Sequence, residues 1–322
     1  MFNKTNILVL IPMDEIQRGE LIKAMPGGNF IFSSEAELDD KIIENAHIII
    51  GNISVDRLKK AKNLKWLQLN SSGADIYTKK GVLLEGVQLT NATGAYGLAI
   101  SEHMIGVILE IFKKLHLYRD NQNNALWKDE GEVKSIYGST FLIVGLGDIG
   151  GEFAKRIKAL GGYTIGIRRK CTDKPDYLDE LYLTDKLDEL LPRADVVALS
   201  MPNTVDNYKM FSKERLDKMK DGAVLINVGR GTCIDTDDLC DALESGKLLG
   251  AALDVTDPEP LPKDHRIWKI KNAIITPHIS GDYHLKETHN RIVQIATDNL
   301  NAYHKGMKLK NIVDFSTGYR KL

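Results

Sequence analysis

The sequence predicts an α/β protein made of two doubly wound parallel-sheet domains. Three observations carry this. Short apolar, β-branched runs alternate with helical patterns along the chain, as parallel sheets with crossover helices require. The glycines Gly145, Gly147 and Gly150 follow the apolar run Phe141 to Val144 and open a helical stretch. A length of 322 residues is long for one core, so two domains are the natural expectation.

Taken in order, Ile7 to Ile11 reads as a strand ended by Pro12, and Glu15 to Met25 as a helix closed by Pro26-Gly27-Gly28. Asn29 to Phe32 is a strand, Ala36 to Asn45 a helix and His47 to Ile50 a third strand. A short helix, Val55 to Ala61, leads to the strand Lys65 to Leu69, and Val87 to Thr90 makes a fifth. The loop Asn70-Ser71-Ser72-Gly73-Ala74-Asp75 falls outside a strand's carboxyl end, where open α/β sheets bind ligands. Its small residues can aim backbone N–H groups at an anion, although by itself it is equally an ordinary turn. A long helix follows Asn91-Ala92-Thr93-Gly94, from Ala95 to about Tyr118, with Ile100, Met104, Val107, Ile108 and Ile111 at core spacing. The polar segment Arg119 to Tyr137, bearing Trp127, reads either as an arm around a second subunit or as a solvated loop.

The glycine motif comes next, between a strand and a helix whose core face is Phe153, Ile157 and Leu160. The first glycine permits a tight turn, the second lets a pyrophosphate approach the backbone, and the third lets helix and strand pack closely. The phosphates would sit at the positive end of the helix. The following strand, Tyr163 to Ile167, ends in Arg168-Arg169-Lys170, with no acid to take a ribose 2′-hydroxyl. Arginine there accommodates a 2′-phosphate, so the expected cofactor is NADP, with NADPH preferred and NAD the second candidate.

Beyond it, Leu187 to Leu191 is helical, and the strand Val196 to Leu199 runs into Ser200-Met201-Pro202-Asn203-Thr204. After a helix at Lys213 to Lys218, the strand Ala223 to Val228 ends in Gly229-Arg230-Gly231. A helix at Asp237 to Ser245 precedes the strand Gly250 to Val255, which is followed by Thr256-Asp257-Pro258-Glu259-Pro260. The last strand, Ala273 to Thr276, leads into Pro277-His278-Ile279-Ser280-Gly281. An arginine, a carboxylate and a histidine thus follow three successive strands. Arg230 can bind a carboxylate and polarise an adjacent carbonyl. His278 can supply the proton that a developing alkoxide needs, and Glu259 can orient its ring from the other nitrogen. Six other histidines read as structural or solvated: His47 at a strand edge, His103 on a helix face, His265 in a loop, and His284, His289 and His304 in a polar C-terminal helix.

Bulk properties narrow the function. Apolar content of 43% and charged content of 27% are those of a globular protein. A net charge of −1 gives no electrostatic case for nucleic acid or an anionic membrane. Cys171, Cys233 and Cys240 form no metal-ligand pattern and read as reduced thiols. The start, Met1-Phe2-Asn3-Lys4, does not read as a signal peptide, and no apolar run approaches a bilayer span. A cytoplasmic, metal-free protein is expected.

The sequence resembles the D-isomer-specific 2-hydroxyacid dehydrogenases over nearly its whole length. The resemblance rests on Ser71 to Asp75, Asn91 to His103, Val144 to Gly150, Asn227 to Gly231, Ala252 to Val255 leading to Glu259-Pro260, and Thr276 to Gly281. It implies Arg230, Glu259 and His278 as the catalytic trio. It further implies that Ser72 and Gly73 amides, with Arg230 and His278, hold the substrate. Gly145, Gly147, Asp148, Ile149, Gly150, Arg168, Arg169, Pro202, Val228, Asp254 and Gly281 are implied around the cofactor, with Asp254 on the nicotinamide carboxamide. The fold implied is a flavodoxin-like substrate domain, residues 1–98 plus 282–322, into which a Rossmann cofactor domain, 99–281, is inserted. Hinges at both crossings, a site in the cleft between the domains, and a homodimer are also implied. Two departures stand out: the arginines replace the acid of NAD-linked members, and Ser200 stands where many relatives carry a histidine. The end soon after Phe315 leaves no room for an added regulatory domain, which disfavours NAD-linked phosphoglycerate activity. The function expected is reduction of a small 2-oxoacid by NADPH. A non-catalytic dinucleotide-sensing protein is the alternative from another class.

Overall fold

The computed structural model describes residues 4–170, 173–316 and 318. The chain opens with β1 (Asn6–Val9), α1 (Glu15–Ala24), β2 (Asn29–Phe32), α2 (Asp40–Asn45), β3 (Ile48–Ile50), α3 (Val55–Leu58), β4 (Trp66–Gln68) and β5 (Gln88–Thr90). It continues through α4 (Gly97–Phe112), α5 (Leu115–Asn123), β6 (Thr140–Val144), α6 (Asp148–Ala159), β7 (Tyr163–Arg168), β8 (Glu180–Leu183), α7 (Leu187–Leu190) and β9 (Val196–Leu199). Next come α8 (Lys213–Lys218), β10 (Ala223–Asn227), α9 (Thr236–Glu244), β11 (Leu248–Leu253), β12 (Ala273–Ile275) and α10 (Lys286–His304). Two compact units result, Met1–Tyr96 with Tyr283–Leu322, and Gly97–Asp282.

Each unit holds one sheet with all its ladders parallel. The first has five strands in the order β2-β1-β3-β4-β5, and the second has seven, β12-β11-β10-β9-β6-β7-β8. The two doubly wound α/β domains are therefore as the alternation of strands and helices predicts. The central strands are covered on both faces, which is why their sequences are continuous apolar runs rather than alternating ones. Phe141, Leu142, Ile143 and Val144 are all buried, as are Ile48, Ile49 and Ile50. Each such side chain contributes roughly 1.5–3 kcal/mol relative to exposure. Helix starts are set by side chains: Asp14 and Gln17 form a capping box on α1, and Asp235 accepts from the amides of Asp237 and Asp238 on α9.

Several sequence expectations are corrected. The single helix from Ala95 to about Tyr118 is two, α4 and α5, because Lys114 takes a left-handed conformation (φ 56°) that a helix cannot continue through. The segment Ala36 to Asn45 begins as a 3₁₀ turn, Glu35–Glu37, before α2. β8 was not foreseen; it is a half-exposed edge strand whose pairing with β7 supplies what its short pattern lacks. The segment after α5 is tied to the rest of its unit by hydrogen bonds. Tyr118 donates to Asp129, the Glu130 amide donates to Tyr118, and Lys134 Nζ reaches the Gly222 carbonyl at 2.7 Å. Trp127, Leu126, Val133 and Tyr137 nevertheless remain exposed on it.

In the first unit α10 lies against α1, Trp66 stacks on Tyr303 (5.3 Å), and buried Asn299 joins Gln68 to Lys310. His284 precedes α10 rather than lying in it, and His289 is tied down, its Nε2 being 2.6 Å from the Pro12 carbonyl. Cys233 and Cys240 are buried, and burial pushes the Cys240 thiol up to about 11, which disfavours the thiolate; Cys171 lies outside the described residues. Among the described residues no helix is long and apolar enough to cross a membrane, and no cluster of metal-ligating side chains occurs.

Candidate active site

The glycine turn joins β6 to α6. Gly145 turns the chain at φ 101°, and its carbonyl accepts from the Ser200 hydroxyl at 2.8 Å. A Cβ on Gly150 would lie 1.9 Å from that same carbonyl, so only glycine fits there. Gly147 caps α6 without a side chain to offer its first turn, and the positive helix end suits an anion. The Asp148 carboxylate is otherwise engaged, since it accepts from the Gly97 amide at 2.8 Å and so fixes the start of α4. Residues Asp148 and Ile149 can therefore serve a phosphate through their N–H groups.

Arg168 closes β7, with Arg169 and Lys170 following. A cavity of about 310 Å³ opens beside them, between Arg168, Lys170 and Lys186, with Leu181 and Leu183 as its apolar floor. Lys186 is paired with Glu189 at 2.8 Å, and Asp185 is the carboxylate on the wall. On the outer strands, hydrogen bonds from Arg193 hold the Glu180 carboxyl down to about 2, helped by the hydroxyls of Tyr182 and Tyr163.

Three neighbouring strands end in the predicted trio. Arg230 leaves β10 half-buried, with Nη1 donating to the Gly229 carbonyl at 2.7 Å. The turn that presents it is clamped by Asn227, which is wholly buried. Asn227 donates to the Arg230 carbonyl (2.8 Å) and accepts from the Gly229 amide (3.0 Å). Beside it, a Cβ on Gly231 would meet the Thr256 carbonyl at 2.0 Å, so the loops after β10 and β11 touch backbone to backbone. Glu259 follows β11 and lies 2.6 Å from His278 Nδ1, with both side chains about half exposed. A carboxylate can only accept, so Nδ1 carries the hydrogen and Nε2 is the nitrogen left for chemistry. His278 itself sits at φ 55°, a conformation rare for a residue with a Cβ.

What holds His278 there is Asp254. This carboxylate is 3% exposed. It accepts from the Thr276 hydroxyl (2.6 Å), the Ile279 amide (3.0 Å), the Ser280 amide (3.2 Å) and the Ser280 hydroxyl. Its own carbonyl takes the His278 amide at 2.8 Å. Both carboxylate oxygens are thus engaged by the turn Thr276 to Ser280. Pro202 and Val228 lie at neighbouring strand ends: the Pro202 carbonyl accepts from Asn207, and the Val228 amide pairs with the Leu199 carbonyl. Gly281 closes the turn after Ser280.

In the other unit, the loop after β4 carries Ser72 and Gly73. The Ser72 carbonyl accepts from Asn91 Nδ2 (2.7 Å) and the Gly73 carbonyl from the Ser71 hydroxyl (2.7 Å). Among the described residues no acceptor faces the Ser72 or Gly73 amide.

Sequence reasoning missed Asn227 as a clamp, Ser200 as the lock on the glycine turn, and the partners of Asp254. The one local signal was a polar residue ending each buried apolar strand, Asn227 after Ile226 and Asp254 after Leu253. Their partners lie too far along the chain for spacing to reveal.

A parallel sheet with an open helix end at a glycine turn, and a polar trio at three adjacent strand ends, defines a dinucleotide-binding oxidoreductase. The comparisons with known proteins specify which. Residues 105–280 match the family described as "D-isomer specific 2-hydroxyacid dehydrogenase, NAD binding domain". A glyoxylate reductase of Thermofilum pendens is 32% identical over 266 residues, covering 80% of this chain and 77% of its own. A D-isomer specific 2-hydroxyacid dehydrogenase family protein of Aeromonas salmonicida superposes with a TM-score of 0.86 at 32% identity, over 97% of this chain and all of the other. An NADPH-dependent glyoxylate/hydroxypyruvate reductase of Sinorhizobium meliloti, solved with NADP and sulfate, shares the fold. Its TM-score is 0.82 at 24% identity, over 98% of this chain and 100% of the other. The chain belongs to the D-isomer specific 2-hydroxyacid dehydrogenases. It is a hydride-transferring oxidoreductase with an NAD(P)-binding domain.

Proposed function

We propose that this enzyme reduces a small 2-oxoacid of the glyoxylate and hydroxypyruvate class to a 2-hydroxyacid, with NADPH preferred over NADH. The observation that carries the reading is the 2.6 Å pair of Glu259, after β11, and His278, after β12, with β11 adjoining the β10 strand whose end presents Arg230. The glycine turn fits a dinucleotide, because Gly147 brings no side chain over the first turn of α6 and Gly150 lets the backbone close up. Gly145 to Gly150 would hold the pyrophosphate and Arg168 with Arg169 the 2′-phosphate, while Pro202, Val228 and Gly281 border the nicotinamide end. A bound reduced nicotinamide supplies the hydride.

The chain's own residues do the rest. The Arg230 guanidinium binds the substrate carboxylate and polarises the adjacent carbonyl, and the Ser72–Gly73 turn of the other unit offers amides of the kind that hold a carboxylate. His278, doubly protonated, gives its Nε2 proton to the carbonyl oxygen as negative charge develops there. It is left neutral with Nδ1–H on Glu259, which holds the ring throughout. A sensor without catalysis needs no such pair, so the intact trio favours the enzyme. The exposed Trp127 segment supports a homodimer, and nothing in the sequence argues against a cytoplasmic location.

The coenzyme assignment is tested with both reduced nucleotides against glyoxylate and hydroxypyruvate. One well-formed arginine–phosphate bond is worth roughly 1.5–3 kcal/mol, or about ten- to a hundredfold in preference. Replacing Arg168 and Arg169 together by alanine should raise KM for NADPH by that factor and leave KM for NADH nearly unchanged. An unmodified enzyme that prefers NADH would overturn the assignment.

A further inference from the structure

We infer that Tyr96 and Tyr283 are positioning residues for the Ser72–Gly73 loop, acting through Asn70. The inference rests on the reading that this loop holds the substrate carboxylate. Asn70 opens the loop and uses all four of its polar groups. Its amide donates to Asn52 Oδ1 (3.2 Å), and its Oδ1 accepts from the Asn52 amide (2.5 Å). Its side-chain NH₂ donates to the Tyr283 hydroxyl, and its backbone carbonyl accepts from the Tyr96 hydroxyl.

The division of labour continues along the loop. The carbonyls of Ser71, Ser72 and Gly73 are taken by the Ala92 amide (2.9 Å), Asn91 Nδ2 (2.7 Å) and the Ser71 hydroxyl (2.7 Å). Every carbonyl from Asn70 to Gly73 is thus drawn back onto the protein, while the Ser72 and Gly73 amides keep their hydrogens for a ligand. This is the polarity that an anion-binding turn needs, and it is set at the Asn70 end by two phenols. Those phenols are special in the chain. Tyr96 is the last residue before the chain leaves this unit, and Tyr283 is the first after it returns. The Tyr283 ring is itself fixed, edge-on to His289 at 5.4 Å, with His289 held on the Pro12 carbonyl. Both crossings are therefore pinned to the residue that sets the loop.

A contact made equally to bound substrate and transition state changes KM and spares kcat. Tyr283→Phe and Tyr96→Phe, assayed with glyoxylate and hydroxypyruvate, should each raise the 2-oxoacid KM about three- to tenfold. We expect kcat within about twofold of the parent and an unaltered KM for NADPH. Asn70→Ala should raise KM at least as much, and Asn70→Ala with Tyr283→Phe should be no worse than Asn70→Ala alone, because the tyrosine works through the asparagine. Unchanged KM in both phenylalanine variants, or effects that multiply in the double variant, would overturn the inference. The carboxylate reading is checked separately: oxamate added to the NADPH-bound enzyme should shift the Gly73 amide resonance. Absence of that shift removes the loop from substrate binding, whereas a shift with unaffected variants removes only the role of the tyrosines.

Discussion

Asp254→Asn separates two uses of one buried carboxylate. In the structure both oxygens are taken by donors of the turn Thr276 to Ser280, and that turn carries His278 in its left-handed conformation. An amide in place of the carboxylate puts N–H hydrogens where one oxygen now accepts. The Thr276 and Ser280 hydroxyls can rotate away, but the Ser280 or Ile279 N–H cannot. One buried donor left unmet costs about 1–3 kcal/mol, and the remaining bonds lose their charge assistance, so roughly 2–4 kcal/mol is at stake. If all of it were felt at the imidazole, kcat would fall ~30- to 1,000-fold, at ~1.4 kcal/mol per tenfold. Relaxation of the turn spreads the cost, and a loss of about 10- to 100-fold is expected. The assay is NADPH oxidation with glyoxylate, accompanied by nucleotide titration of the enzyme alone. Nucleotide affinity should hold within about threefold, because the side chain is committed to the turn. A variant that keeps its kcat but binds NADPH tenfold more weakly would refute the reasoning and give the carboxylate to the nicotinamide.

The other expectations are simpler. His278→Ala should cut turnover by ~10²–10⁴ while leaving nucleotide binding nearly intact, and near-normal turnover would take His278 out of the mechanism. Glu180 is held down to about 2 by Arg193, against an ordinary value of 4.5. Its stabilisation is complete above the ordinary value and disappears as pH falls through about 2. Glu180→Gln should therefore lower Tm at pH 7 by an amount worth about 1–2 kcal/mol, reduced by solvent around the pair, and the gap should shrink as pH falls below the ordinary value and close only below about pH 2. Equal gaps at pH 7 and pH 2.5 would count against that pair. Light scattering should show a dimer, and deletion of residues 125–133, which bear Trp127, should favour a species of one chain's mass, 36.0 kDa.

Much of the fold was legible because parallel strands buried on both faces write themselves as apolar runs, Ile48-Ile49-Ile50 and Phe141 to Val144 among them. The glycine turn was legible for a different reason: close backbone approach admits one residue type, and Gly150 shows how little room there is. The placement of Arg230, Glu259 and His278 after three neighbouring strands was legible because these side chains stood at strand ends between glycines and prolines. Three things were hidden. Lys114 breaks a helix with a backbone conformation that no side chain announces, and β8 borrows its existence from β7. The supports of the site, Asp254 on Thr276 and Ser280, and Asn70 on Tyr283, join residues that only the folded chain brings together. Local patterns record burial and reactive chemistry, but not the hydrogen bonds that aim it.

The interrupted unit has a consequence for how the chain is made. Met1–Tyr96 includes all five strands of its sheet, yet α10, which packs on α1 and brings Tyr303 onto Trp66, is translated only after the whole of Gly97–Asp282. At ~5–20 residues per second, that interval is on the order of 10–40 s. Through it the nascent sheet lacks its last covering helix, with the face awaiting Ile292, Val293, Ala296 and Leu300 uncovered. The ribosome thus finishes the second-born unit first, and the first-born one closes only when the last segment emerges.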